Sequence, residues 1–251
     1  MLRNNKGLIF FFLFFAMVLS AQEKTNQFDS NGKREGLWKG TYEQSKRIRY
    51  QGVFNSGKEL GIFKYFDDTK AGSLIAIRDF SKGDGSCYTI FYDQKNFIVS
   101  EGTLKNKMPE GSWKYYHYQS TEIMTKENYK VGKLNGLKEV FYKNNTLAET
   151  AIYVDGAIEG IYKKFAENSK LLEETNYKKG VMQGAATFYD GNGNLILKGQ
   201  YKKGFRVGIW ETYKNGKIVS TENASKPNSK TFKYIKNDKG ENIPTELKEK
   251  K

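Results

Sequence analysis

Three kinds of side chain in this sequence have the chemistry of a reactive site, and their spacing decides how far each can go. Glu35, Glu110 and Glu159 each stand immediately before a glycine, and a pair of carboxylates is what glycoside cleavage requires. They recur once per repeated segment, which on successive β-hairpins puts them about 10 Å or more apart, at or beyond the upper limit for such a pair. A structural use at a turn is the expectation. His117 is the one histidine, so neither a histidine-based metal centre nor a Ser/His/Asp triad has its parts. Cys87 is the one cysteine; no base or cation is evident beside it to make it a thiolate, and it reads as a small apolar filler. Paired glycines share the composition of phosphate-cradling loops. No helix pattern follows them, however, and they recur in most segments, so turn geometry accounts for them. No catalytic residue, metal or cofactor is expected.

The remaining chemistry belongs to surfaces. Rings alternate with lysine at Trp38-Lys39, Phe63-Lys64, Trp113-Lys114 and Tyr162-Lys163, and Trp210 occupies the same slot in a later segment. Such a surface could stack on sugars or sit at an anionic lipid or protein interface. The alternation of a strand offers a second reading, with rings packed and lysines in water. The charge balance is basic, 42 Lys and Arg against 28 Asp and Glu, which favours anionic partners or serves as a solvated, edge-protecting surface.

What must position these groups is a repeat. Tyr177-Lys178-Lys179-Gly180 and Tyr201-Lys202-Lys203-Gly204 begin two segments that run head to tail. A marker glycine recurs at Gly36, Gly61, Gly85, Gly111, Gly136, Gly160, Gly184 and Gly208, spaced 25, 24, 26, 25, 24, 24 and 24 residues apart. A second glycine precedes most markers by four positions, and an apolar or aromatic residue such as Phe54, Tyr129, Tyr177 or Tyr201 by seven. After each marker the pattern has period two, the mark of a strand. Turn residues follow, clearest in Asp190-Gly191-Asn192-Gly193-Asn194, and the chain returns along a second strand. The reading is all-β: an elongated antiparallel meander of about eight hairpins of 24–25 residues, joined by tight glycine turns, roughly 75 Å long before twist. One hairpin cannot bury its apolar face alone, so neighbours must stack.

The ends read differently. Arg3 and Lys6, an apolar run from Leu8 to Leu19 and the small residues Ser20-Ala21 form a signal peptide over residues 1–21, with cleavage between Ala21 and Gln22. The run is too short to span a bilayer core, which needs about 20 apolar residues. Leu19, however, is larger than the small residue preferred three positions before the cut, which leaves an uncleaved anchor as the alternative. Without Arg3 and Lys6 the mature chain carries 40 basic and 28 acidic residues, a formal 40 − 28 = +12. Export makes nucleic acid an unexpected partner, and an exported chain with one cysteine must take its stability from packing. The repeat array covers 22–220, and 221–251 reads as a lysine-rich flexible tail, in which Phe232-Lys233-Tyr234-Ile235 could cap the last strand.

The unit Gly208-Ile209-Trp210-Glu211-Thr212-Tyr213-Lys214-Asn215-Gly216-Lys217 resembles the MORN (membrane occupation and recognition nexus) repeat, and more closely its bacterial variant under the YwqK-type antitoxin label. The resemblance runs over residues 28 to about 219. It implies an elongated hairpin ribbon that serves as a scaffold, a dimerisation surface or a lipid-associated module, and supplies no catalytic residues. The antitoxin label implies neutralisation of a toxin in the cytoplasm. Three functions follow in order: an exported, periplasmic or secreted scaffold, peripheral to the outer membrane, for a protein or an anionic envelope component (polysaccharide or lipid headgroups), with a homodimer compatible; an antitoxin-like neutraliser; and an enzyme acting on envelope polysaccharide.

Overall fold

The computed structural model describes residues 24–225 and the strands Lys233–Lys236 and Asn242–Thr245; the expected signal peptide and cleavage point lie outside the described residues. Nineteen strands form one open antiparallel sheet, and the described residues contain no helix. Pairing follows chain order throughout. The eight hairpins join Arg34–Thr41 to Ile48–Asn55, Lys58–Phe66 to Leu74–Asp79, Ser86–Tyr92 to Ile98–Lys105 and Met108–Tyr116 to Ile123–Lys130. They continue with Gly136–Phe141 to Leu147–Val154, Gly160–Phe165 to Leu171–Lys178, Val181–Tyr189 to Leu195–Lys202 and Phe205–Lys214 to Lys217–Asn223. Short strands Lys133–Leu134 and Ala157–Ile158 open the fifth and sixth hairpins, and Gln27–Phe28 pairs onto the first.

Six of the seven links between hairpins are tight turns, as in Lys179 (φ 51) with Gly180 (φ 78) and Lys203 (φ 53) with Gly204 (φ 82), while the second and third hairpins are joined by the longer segment Phe80 to Gly85. Two successive positive φ values make a type I′ turn, whose twist matches that of the strands it joins. The marker glycines, expected in these linking turns, lie four residues beyond the turn glycines, in or beside the first strand of each hairpin. At Gly184 (φ 102) the register against the preceding strand shifts between Thr175 and Tyr177, and the same shift recurs opposite Gly61, Gly111 and Gly208. These are β-bulges, where the extra residue needs the left-handed region and a side chain would strain it.

Alternation then sorts the side chains. The second residue after the marker points to a packed face, where Phe63, Trp113 and Trp210 are 1%, 3% and 1% exposed. The first points to the opposite face, where Ile62 and Ile209 are 49% and 53% exposed. A single-layer sheet can bury a ring only if the neighbouring strand makes room for it. Gly52, Gly102 and Gly199 do so: a Cβ there would lie 2.5, 2.4 and 2.3 Å from the rings of Phe63, Trp113 and Trp210. Where the slot holds the smaller Tyr162 the register sets Ala151 beside it, and where it holds Ala186 the partner is Thr175. Size is matched pair by pair, and each buried ring contributes about 1.5–3 kcal/mol of transfer free energy. Beyond the array, Lys233–Lys236 pairs with Asn242–Thr245 in a separate two-stranded sheet, not with the last strand of the meander.

Candidate binding surfaces

The carboxylates that precede the markers hold successive hairpins together. Glu35 accepts the Ser56 amide at 2.7 Å, Glu110 that of Val131 at 2.8 Å and Glu159 that of Lys179 at 2.7 Å. Each is thereby tied to the linking turn of the next hairpin. Gln183 does the same for Lys203 at 2.9 Å, so the role needs an acceptor oxygen and not a charge. The glycine of each such turn donates to the previous hairpin as well, as Gly57 does to the Arg34 carbonyl at 2.9 Å and Gly180 to Ile158 at 2.9 Å. At the far end of the hairpins Tyr42 and Tyr142 donate to the carbonyls of Phe66 and Phe165, at 2.7 and 2.9 Å. His117 occupies the equivalent position, with Nε2 3.0 Å from the Phe141 carbonyl; a carbonyl only accepts, so Nε2 carries the proton. Cys87 is buried, with Sγ 3.5 Å from the Thr89 hydroxyl.

The ring and lysine residues do not form one surface. Trp38, Phe63, Trp113, Tyr162 and Trp210 lie on the packed face, in a broken ladder of edge-to-face and tilted rings such as Trp38–Phe54 at 5.9 Å, Phe54–Phe63 at 5.1 Å and Tyr201–Trp210 at 5.1 Å. Lys39, Lys64, Lys114 and Lys163, one residue on, point the other way. Lys114 pairs with Glu101 at 3.0 Å and Lys163 with Glu174 at 3.1 Å. Hydrogen bonds from Tyr116 and Lys114 hold Glu101 below the usual carboxylate range although its burial works against them. Further along, a hydrogen bond to Tyr213, then the Glu211 carboxylate, raises Lys198 to about 12.

One stretch of the packed face is polar. In the fifth hairpin the ring slot holds Lys138, and its partner position holds Glu127, 2.9 Å away and only 8% exposed. The Tyr129 hydroxyl donates to Glu127 and lies 3.2 Å from that of Tyr115. Burial, then the bond to Glu127, pushes the Tyr129 phenol up; Tyr162 is pushed up by burial and by the charges of Glu149 and Glu173.

The linking turns compose one long edge of the ribbon, and lysine dominates it. Pairs occur at Lys105 and Lys107, Lys130 and Lys133, Lys178 and Lys179, and Lys202 and Lys203, all exposed. The opposite edge is mixed, with Asp67, Asp68, Asp93 and Asp190 beside Lys70, Lys95 and Lys170. The sequence reading did not single out this edge, although the recurring Tyr-Lys-Lys-Gly that opens two segments was its trace.

The fold and its contacts thus define a hairpin-repeat ribbon whose units lock to one another. A family model described as a MORN repeat variant matches residues 158–179 and 182–203. These are two successive units in phase with the hairpins that carry Gly160 and Gly184. No curated protein matches the chain. Among solved structures, the crystal structure of a protein of unknown function from Bacteroides fragilis NCTC 9343 is similar at 11% identity over 60% of this chain and 96% of its own, with a TM-score of 0.15, too low a score to equate the two folds.

Proposed function

We propose that this protein is an exported, non-catalytic scaffold whose hairpin array presents a binding surface to a protein or to an anionic component of the cell envelope. One observation carries the reading: the groups with chemical potential are spent on structure. Glu35, Glu110 and Glu159 cap linking turns, His117 caps a far turn and Cys87 is packed. The outward side chains are left to recognition. The detected MORN repeat variant supports a binding or scaffolding role, such repeats being typically of that kind. The basic start and apolar run of residues 1–21 support export.

Fractionation of tagged protein, with N-terminal sequencing, tests the location. Processed chain beginning at Gln22 in the envelope or medium is the expected result, and unprocessed chain in the cytoplasm overturns export. The antitoxin-like alternative predicts that second outcome together with a stable one-to-one complex with a cognate protein. Turnover of envelope glycans by purified protein, abolished by changing one carboxylate, would overturn the non-catalytic reading.

A further inference from the structure

We propose that the linking-turn edge is a rail for a linear acidic polysaccharide. The inference rests on the envelope-scaffold reading and names its ligand class and its surface. Four of the seven linking turns carry a pair of exposed lysines, and none of these eight forms an ion pair among the described residues. On the sheet face Lys39 and Lys64 are likewise without an ion pair among the described residues, but Lys114, Lys163 and Lys198 have carboxylate partners at 3.0–3.1 Å. Glu35, Glu110 and Glu159, beside the edge, keep their charge while each accepts a turn amide, and none forms an ion pair with these lysines. The positive charge of the edge is therefore left for something outside the chain.

Geometry selects the ligand. Adjacent linking turns are two strands apart, so lysine pairs recur at about 10 Å or twice that. A polysaccharide with one acid group per disaccharide repeats its charge at a comparable interval. Nucleic acid is a poorer match, since its phosphates recur about every 3.4 Å along a strand. A membrane is poorer for another reason. Successive strands rotate by about 20–25°, so the edge turns by about 45° per hairpin and winds around the long axis. A plane can touch only about two adjacent turns, whereas a flexible polymer can follow all four pairs.

The chain carries its own control. The turn between the fifth and sixth hairpins holds Asp155 at φ 50, the position filled by Lys179 at φ 51 and Lys203 at φ 53. One acid thus interrupts the rail at a place where lysine is already compatible with the backbone. The test uses the mature chain and measures binding to hyaluronan, with neutral dextran, phosphatidylglycerol vesicles and single-stranded DNA as comparisons. Hyaluronan should bind in a salt-sensitive way. Asp155→Lys should tighten it about threefold, and the combined Lys178→Gln, Lys179→Asn, Lys202→Gln and Lys203→Asn variant should weaken it about tenfold or more. Thermal unfolding should be unchanged in both, because asparagine tolerates positive φ. Tighter binding to vesicles or to DNA than to hyaluronan overturns the proposal, as does a four-lysine variant of parental affinity. Envelope localisation that persists in a chain without hyaluronan affinity would overturn the rail and leave the scaffold reading standing.

Discussion

Gly199→Ala isolates the matching of ring to glycine. Gly199 has an ordinary negative φ, so what it supplies is space, not backbone freedom. A Cβ there would lie 2.3 Å from Cδ2 and 2.4 Å from Cε2 of Trp210, and ordinary contact begins at 3.4 Å. Ring or strand must therefore move by 3.4 − 2.3 = 1.1 Å. Overpacking of this kind costs about 1–3 kcal/mol, and alanine returns about 0.4–1 kcal/mol by restricting the unfolded chain. The net loss runs from about 0 to 2.6 kcal/mol, with a central value of about 1.3 kcal/mol or a fall of about 3–5 °C in the unfolding midpoint. The same molecule contains the remedy, because Ala151 sits beside Tyr162. Trp210→Tyr alone should cost about 1–2 kcal/mol through the void it leaves. Combined with Gly199→Ala, it should cost less than the sum of the two by about 0.5 kcal/mol or more. Circular dichroism melts give the midpoints, and hydrogen exchange of the strand Leu195–Lys202 localises the change. A Gly199→Ala protein that melts no lower than its parent, or two costs that simply add, would refute the matching argument.

Three further outcomes follow from the turns and charges. Val131 holds a β-branched side chain at φ 49, so Val131→Asn should stabilise by about 0.5–1.5 kcal/mol, checked by chemical denaturation. Glu159→Ala should cost about 1 kcal/mol by stranding the Lys179 amide, while Glu159→Gln should be near neutral because Gln183 already serves Lys203; equal losses in the two variants would contradict the amide-capping role. Glu101, whose folded pKa lies below the ordinary 4.5, contributes stability that is fully present above that value and is lost as pH falls through the folded pKa. Acid melts should therefore show a loss that Glu101→Gln largely removes, and an unchanged acid limb in that variant would count against the Tyr116–Glu101–Lys114 network.

The meander was legible because glycine spacing and strand alternation are local properties. Eight markers separated by 24–26 residues announce eight hairpins, and alternation puts Phe63 and Lys64 on opposite faces without further information. Which face is packed was not legible from a single segment, since Ile62 and Phe63 are both apolar. The answer lies 11 residues upstream of each ring, in Gly52, Gly102 and Gly199, and depends on register between neighbouring strands. Turn and bulge were confounded for a related reason: Gly180 and Gly184 both have positive φ, and composition cannot distinguish two uses of the same conformational freedom. Glu110 was read as structural on spacing alone. That its partner is the Val131 amide of the next hairpin required the fold. The lysine edge was hidden because its members, 24 or more residues apart along the chain, meet only when the turns line up.

Midway along the ribbon the ring ladder gives way to the Lys138–Glu127 pair. Ionic contacts that have lost their water contribute little net cohesion, and in an array held by nearest neighbours the weakest junction decides where it parts. Heat or mechanical load should therefore split the rod at its centre into two blocks of four hairpins, each zipped by its own rings, before either block melts.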